Sequence, residues 1–171
     1  MLFYVFYSCT TIKVARNKAD NYHQKLSKVF VLIQSEVKAA KFSNTFAIKL
    51  MSAFKEHHIQ GEFKEKHNLS LETDAEYLEK VKKFAPKQLM TIKQTAINLR
   101  APSIINTIVF EIQISDTKSN TIIWKGALDI YGQIGLKDTI DKNLKKRNHF
   151  KHLINRYLMK TLISESSLFH K

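Results

Sequence analysis

Seven histidines are the first residues to test for chemistry. His57 and His58 adjoin, His67 follows, and His149 and His152 lie three apart. Two histidines at that last spacing share one face of a helix. A zinc site needs three or four ligands, and no Cys, Asp or Glu stands at matching spacing. Lys145, Lys146 and Lys151 would also repel a cation beside the second pair. The histidines therefore read as solvent-facing or locally packed, and no metal is expected.

Nucleophilic and acid–base chemistry fare no better. A hydrolase needs a nucleophile, a base and an orienting acid brought together in space. No serine stands in a G-x-S-x-G elbow. Neither G-x-G-x-x-G nor G-x-x-x-x-G-K-[ST] occurs, so no glycine-rich loop wraps a phosphate. Glu62 and Glu65 sit beside Lys64 and Lys66, a mixture expected on a solvated surface rather than in an acid–base pair. The expectation is a chain without catalytic residues or cofactor.

Two features remain that carry chemistry of another kind. The first is "KNLKKRNHFK", which gathers Lys142, Lys145, Lys146, Arg147 and Lys151 around Phe150. It suits contact with an anionic surface, either lipid headgroups or the phosphates of a nucleic acid. The formal net charge of +13 favours the same partners. The second is the start, MLFYVFYSC, an apolar run that ends at Ser8 and the lone Cys9. One cysteine excludes an internal disulfide framework. No stretch approaches the roughly 18 apolar residues that cross a bilayer.

These residues must be positioned by elements that the periodicity outlines. "KVFVLIQ" is a continuous apolar run, as in a central strand covered on both faces. In "FSNTFAIKLMSAFKEHHI", Phe46, Ala47, Leu50, Met51 and Phe54 recur at helical spacing, with Ser43 as the expected N-cap. A short strand is expected near Ile59–Lys64. Thr73 and Glu76 have capping-box spacing before a second helix whose stripe is Leu78, Val81 and Ala85, stopped by Pro86. The period then changes to two. "KQLMTIKQTAINL" is a strand with a phase slip between Ile92 and Ile97. "INTIVFEIQISD" aligns Ile108, Phe110, Ile112 and Ile114. After the turn at "TKSN", "TIIWKGALDIYG" aligns Ile122, Trp124, Gly126, Leu128 and Ile130. A basic helix over "DTIDKNLKKRNHFKHLINRYLMKTLISE" closes the chain.

The order β-α-β-α-β-β-β-α describes an α/β fold of α+β character. It is a mixed sheet with helices packed on it and a long antiparallel hairpin in the C-terminal half. Residues 1–9 read as the remnant of a signal segment, 10–27 as a polar tether, and 28–171 as one α/β domain. The length of 171 residues suits that single domain.

The segment "FYSC", with Ser8 before Cys9 and "TTIK" after it, resembles the lipid-attachment site of Gram-negative lipoproteins. The hairpin "SDTKSNTIIWKG", with Asp116, Asn120, Trp124 and Gly126, resembles that of small envelope lipoprotein domains, among them secretion and assembly auxiliaries. This second resemblance covers residues 28–131. The first resemblance implies Cys9 as an acyl (palmitate) attachment point and an outer-membrane or periplasm-facing location, and the second implies a non-enzymatic protein-binding role. The implied partners are an anionic membrane surface and an envelope protein. The alternative is a cytosolic nucleic-acid-binding domain that uses the basic C-terminal helix.

Overall fold

A computed structural model describes residues 11–18, 25–101, 104–135 and Met159. The strands are β1 (Thr11–Lys18), β2 (Lys28–Ser35), β3 (Gln60–His67), β4 (Gln88–Ala101), β5 (Ile104–Asp116) and β6 (Thr121–Gly135). The helices are α1 (Ala40–Glu56) and α2 (Asp74–Phe84). One mixed sheet has the order β1-β6-β5-β4-β2-β3. β2 pairs in parallel with β3 and β4, and the other neighbours pair antiparallel.

The apolar run of β2 is explained by cover on both faces. Val29, Val31 and Ile33 join the main core with the stripe of α1. Phe30 points to the other face and meets Phe84 of α2, with ring centroids 5.8 Å apart. On the main face, Phe42 and Phe46 of α1 stack on Phe110 of β5 at 5.9 and 6.1 Å. Ile108, Ile112 and Ile114 complete that layer.

Local signals place most element ends, with three corrections. Ser43 is not the N-cap of α1. The helix starts at Ala40 behind a 3-10 turn at Val37–Ala39, and no side chain caps it. The helix-favouring run Lys38–Lys41 starts the helix early and carries Ser43 onto the buried face. In α2 the capping box of Thr73 and Glu76 forms as expected, but Leu78 and Ala85 are exposed. The packed side is Tyr77, Val81 and Phe84. Tyr77 wins because its ring buries while its hydroxyl donates to the Glu65 carbonyl at 3.3 Å. In β6, Ile122 is exposed and Ile123 is buried. A register shift between Ile114 and Ser115 opposes Trp124 to Ile114 and Ile122 to Ser115, and Ile123 is the extra residue.

The hairpin turn holds without glycine. Asp116 Oδ1 accepts from the backbone N–H of Lys118 and Ser119 at 3.0 and 2.8 Å, and from Ser119 Oγ at 3.0 Å. Asn120 takes the left-handed position at φ 53°, which an asparagine tolerates better than most residues. The phase slip in β4 appears as an irregularity between Gln94 and Ala96.

The segment read as a tether is partly sheet. Thr11–Lys18 pairs antiparallel with β6 from Tyr131 to Trp124. Its sequence offers only Ile12 and Val14 as alternating apolar residues, so the strand depends on a partner far along the chain. The closing basic helix lies outside the described residues, except that Met159 is fully buried in the main core. Among the described residues, no helix is long and apolar enough to cross a membrane.

Candidate functional site

β2 and β3 end in register at Ser35 and His67. Parallel pairing turns Ser35, Glu65 and His67 to the same face, toward α1. Ser35 Oγ donates to Glu65 Oε1 at 3.1 Å and lies 3.3 Å from His67 Nδ1. His67 Nε2 is 3.8 Å from Glu65 Oε2. Ser43 comes down from α1 toward the same carboxylate but falls short of hydrogen-bond geometry. Burial pushes the Glu65 carboxyl above its ordinary range, against the opposing pull of His67 and of the two serine hydroxyls.

A serine, a histidine and a carboxylate are the parts of a hydrolytic triad, but the connections differ. In a triad the hydroxyl donates to the imidazole and the imidazole donates to the acid. Here the hydroxyl proton goes to the carboxylate, and Ser35 is 6% exposed. The group acts as a polar clamp between β2 and β3, under α1.

Glu65 therefore departs from the surface reading of the Glu62–Glu65 pair. Its side chain is 14% exposed, whereas Glu62 is exposed. Three residues apart on a strand, the two face opposite ways. His57 and His58 are exposed at the end of α1, and the length of β3 separates them from His67. Among the described residues, no group of three or more His, Cys, Asp or Glu could hold a metal. Sequence reasoning missed the cluster. The signal within reach was the Glu65-x-His67 alternation on a strand.

On the other face, α2 packs on the β2–β3 side of the sheet. Glu72 accepts from Lys80 at 2.8 Å and pairs with Lys64 at 3.0 Å, and these bonds pull its carboxyl down to about 2. Lys66 pairs with Asp74. The rest of this face, on β4, β5, β6 and β1, carries Lys13, Lys93, Glu111, Lys125, Asp129 and Tyr131. A shallow depression of about 460 Å³ opens there, lined by Ala15, Thr95, Val109, Glu111, Lys125 and Ala127. Lys13 Nζ lies 5.6 Å from the ring centroid of Tyr131, whose hydroxyl donates to Asp129 Oδ2 at 3.3 Å. The charge of Asp129 holds that phenol above its ordinary range. Both signs of charge alternate across the face.

The residues that the sequence singled out for contact with lipid and anions lie outside the described residues. They are Cys9, Lys142, Lys145, Lys146, Arg147 and Lys151, together with His149 and His152.

No protein-family model matches this chain, and no curated protein matches it. Among solved structures, it is similar to the PelC dodecamer from Paraburkholderia phytofirmans. That likeness has 9% identity, a TM-score of 0.49, and covers 84% of this chain and 95% of that one. Lipoprotein GNA1162 from Neisseria meningitidis is similar at 10% identity and a TM-score of 0.43, over 77% of this chain and 98% of that one. The hypothetical protein CT253 from Chlamydia trachomatis gives 11% identity and a TM-score of 0.46, over 82% and 95%. These are loose likenesses of architecture to small bacterial proteins and identify no family.

Proposed function

We propose that this chain is a non-catalytic, lipid-anchored module of a bacterial cell envelope, facing the periplasm and docking an envelope protein. The observation that carries the docking role is the sheet face that, among the described residues, α1 and α2 leave uncovered. Charged groups of both signs surround a shallow depression there. A face of that kind suits the complementary charges of a protein partner, which fix register and orientation. The anchor rests on Ser8–Cys9 at the end of an apolar run. The basic residues Lys142, Lys145, Lys146, Arg147 and Lys151 supply the second attraction that stable anchoring requires, toward anionic lipid.

Two measurements test this reading. Mass spectrometry of native protein extracted from membranes should find Cys9 as the N-terminal residue, carrying acyl chains. Reversing charge on the bare face, Lys93→Glu with Lys125→Glu, should release a co-purifying envelope protein without changing the circular dichroism. An unmodified Cys9 in a cytosolic fraction removes the anchor. Salt-sensitive binding to DNA or RNA in that fraction favours the nucleic-acid alternative.

A further inference from the structure

The parallel strands deliver two connections to the same end of the sheet. β2 ends at Ser35 and β3 at His67, directly opposite each other. Val37 follows the first and is half exposed, while Leu69 and Leu71 follow the second at 76% and 99% exposure. Leu78, one turn into α2, is also exposed. Exposed aliphatic groups at one end of the sheet are candidates for a contact site. Leu69 and Leu71 project from the connection after β3, so they offer little shape for a folded partner to match. A bilayer accepts protruding aliphatic side chains without such a match.

The charges beside them agree. Glu72 is paired with Lys64 and Lys80 and Asp74 with Lys66, while Glu76, which accepts from the backbone N–H of Thr73, and the exposed Glu79 carry charge on α2 alongside the exposed Lys82 and Lys83. Lys38 and Lys41 are exposed next to Val37, with Glu36 the one exposed acid beside them. The N-terminal strand reaches the same end. Thr11 is level with Tyr131, Thr107 and Asn98, which lie beyond the Lys93–Gln34 pair that closes β2. Cys9 stands two residues before Thr11.

We infer that this end, through Leu69 and Leu71 with Lys38 and Lys41 at the same end of the sheet, is the surface that rests on an anionic bilayer. The inference builds on the envelope reading above and gives the body an orientation. β1 starts so close to Cys9 that the folded part stays at the membrane. The Asp116–Thr121 turn, at the opposite end of the sheet, faces away from the lipid.

The test tethers the body without using the natural anchor. A Cys9→Ser chain with an N-terminal hexahistidine tag is held by nickel-chelating lipid on vesicles of phosphatidylethanolamine and phosphatidylglycerol. A single cysteine replaces Leu71, or Lys118 in the distant turn, and carries an environment-sensitive fluorophore. Both sites are exposed, so neither change disturbs the core. The label at position 71 should brighten severalfold and shift to the blue, the label at 118 should not change, and Leu69→Ser should reduce the response at 71. No response at 71, or equal responses at both sites, overturns the orientation. Acylation of Cys9 in the native protein is measured separately, so failure of the anchor and failure of the orientation give different results.

Discussion

Glu65 is the residue where burial and charge compete most directly. Its carboxyl is raised because loss of solvent outweighs the pull of His67, Ser35 and Ser43. A carboxyl raised on folding keeps its proton more readily in the native state than in the unfolded chain. Its contribution to stability is therefore complete below the unfolded value, near 4.3 for a model glutamate, and declines as pH rises through the folded value. Replacing Glu65 with Gln removes the titration while keeping an oxygen to accept from Ser35. Relative to Glu65→Gln, the natural chain should lose stability between mildly acidic and neutral pH. Denaturant midpoints of both proteins across that range check this, and a constant difference would show that Glu65 carries no burial penalty. Glu72 has the opposite sign. Held down by Lys80 and Lys64, it supports the fold above its unfolded value and loses that support as pH falls toward 2. Because it is partly solvated, its share is small and weakens with salt.

At the scale of elements, two glycines decide how closely layers approach. A Cβ on Gly126 would stand 2.3 Å from the Trp124 ring and 3.0 Å from the Ala15 carbonyl of β1. One on Gly61 would stand 2.7 Å from the Phe54 ring and 2.9 Å from Met51 Sδ. Both rings are buried in the core, but at Gly126 fixed backbone closes the other side, whereas at Gly61 the second neighbour, Met51, is partly buried and unbranched, able to move aside. Gly126→Ala should cost about 2–3 kcal/mol and Gly61→Ala about 1 kcal/mol, as overpacking does. Equilibrium unfolding ranks them, and the reverse order would mean that Trp124 has room to move. The sequence showed what local periodicity can show: the run of β2, the stripe of α1, the capping box of α2 and the alternation of β5. It hid what depends on distant partners. β1 needs β6 to become a strand, and Ile122 turns outward because of a register shift against β5. The Ser35–Glu65–His67 clamp stayed hidden for the same reason. Its members meet only when β2 and β3 pair in parallel across α1, a register that neither segment contains alone.

At the scale of the whole molecule, the question is how the basic region relates to the folded body. Met159 is 0% exposed and lies in the cluster that contains Phe46, Phe110 and Leu128. The stretch that holds Lys142, Lys145, Lys146, Arg147 and Lys151 is therefore joined to the body at both ends, at Gly135 of β6 and at Met159. For contact with an anionic bilayer this matters more than the number of charges. A free tail would lose conformational freedom whenever it bound, whereas a stretch with both ends held has already lost part of it on folding. Met159→Ala measures the attachment. Truncating a fully buried methionine costs about 2–5 kcal/mol when the cavity cannot collapse, and denaturant unfolding should show a loss of that size. A change under about 0.5 kcal/mol, typical of a surface position, would detach Met159 from the core. The basic stretch would then lose that point of attachment, and its proposed contact with lipid would bear more of the cost of ordering it.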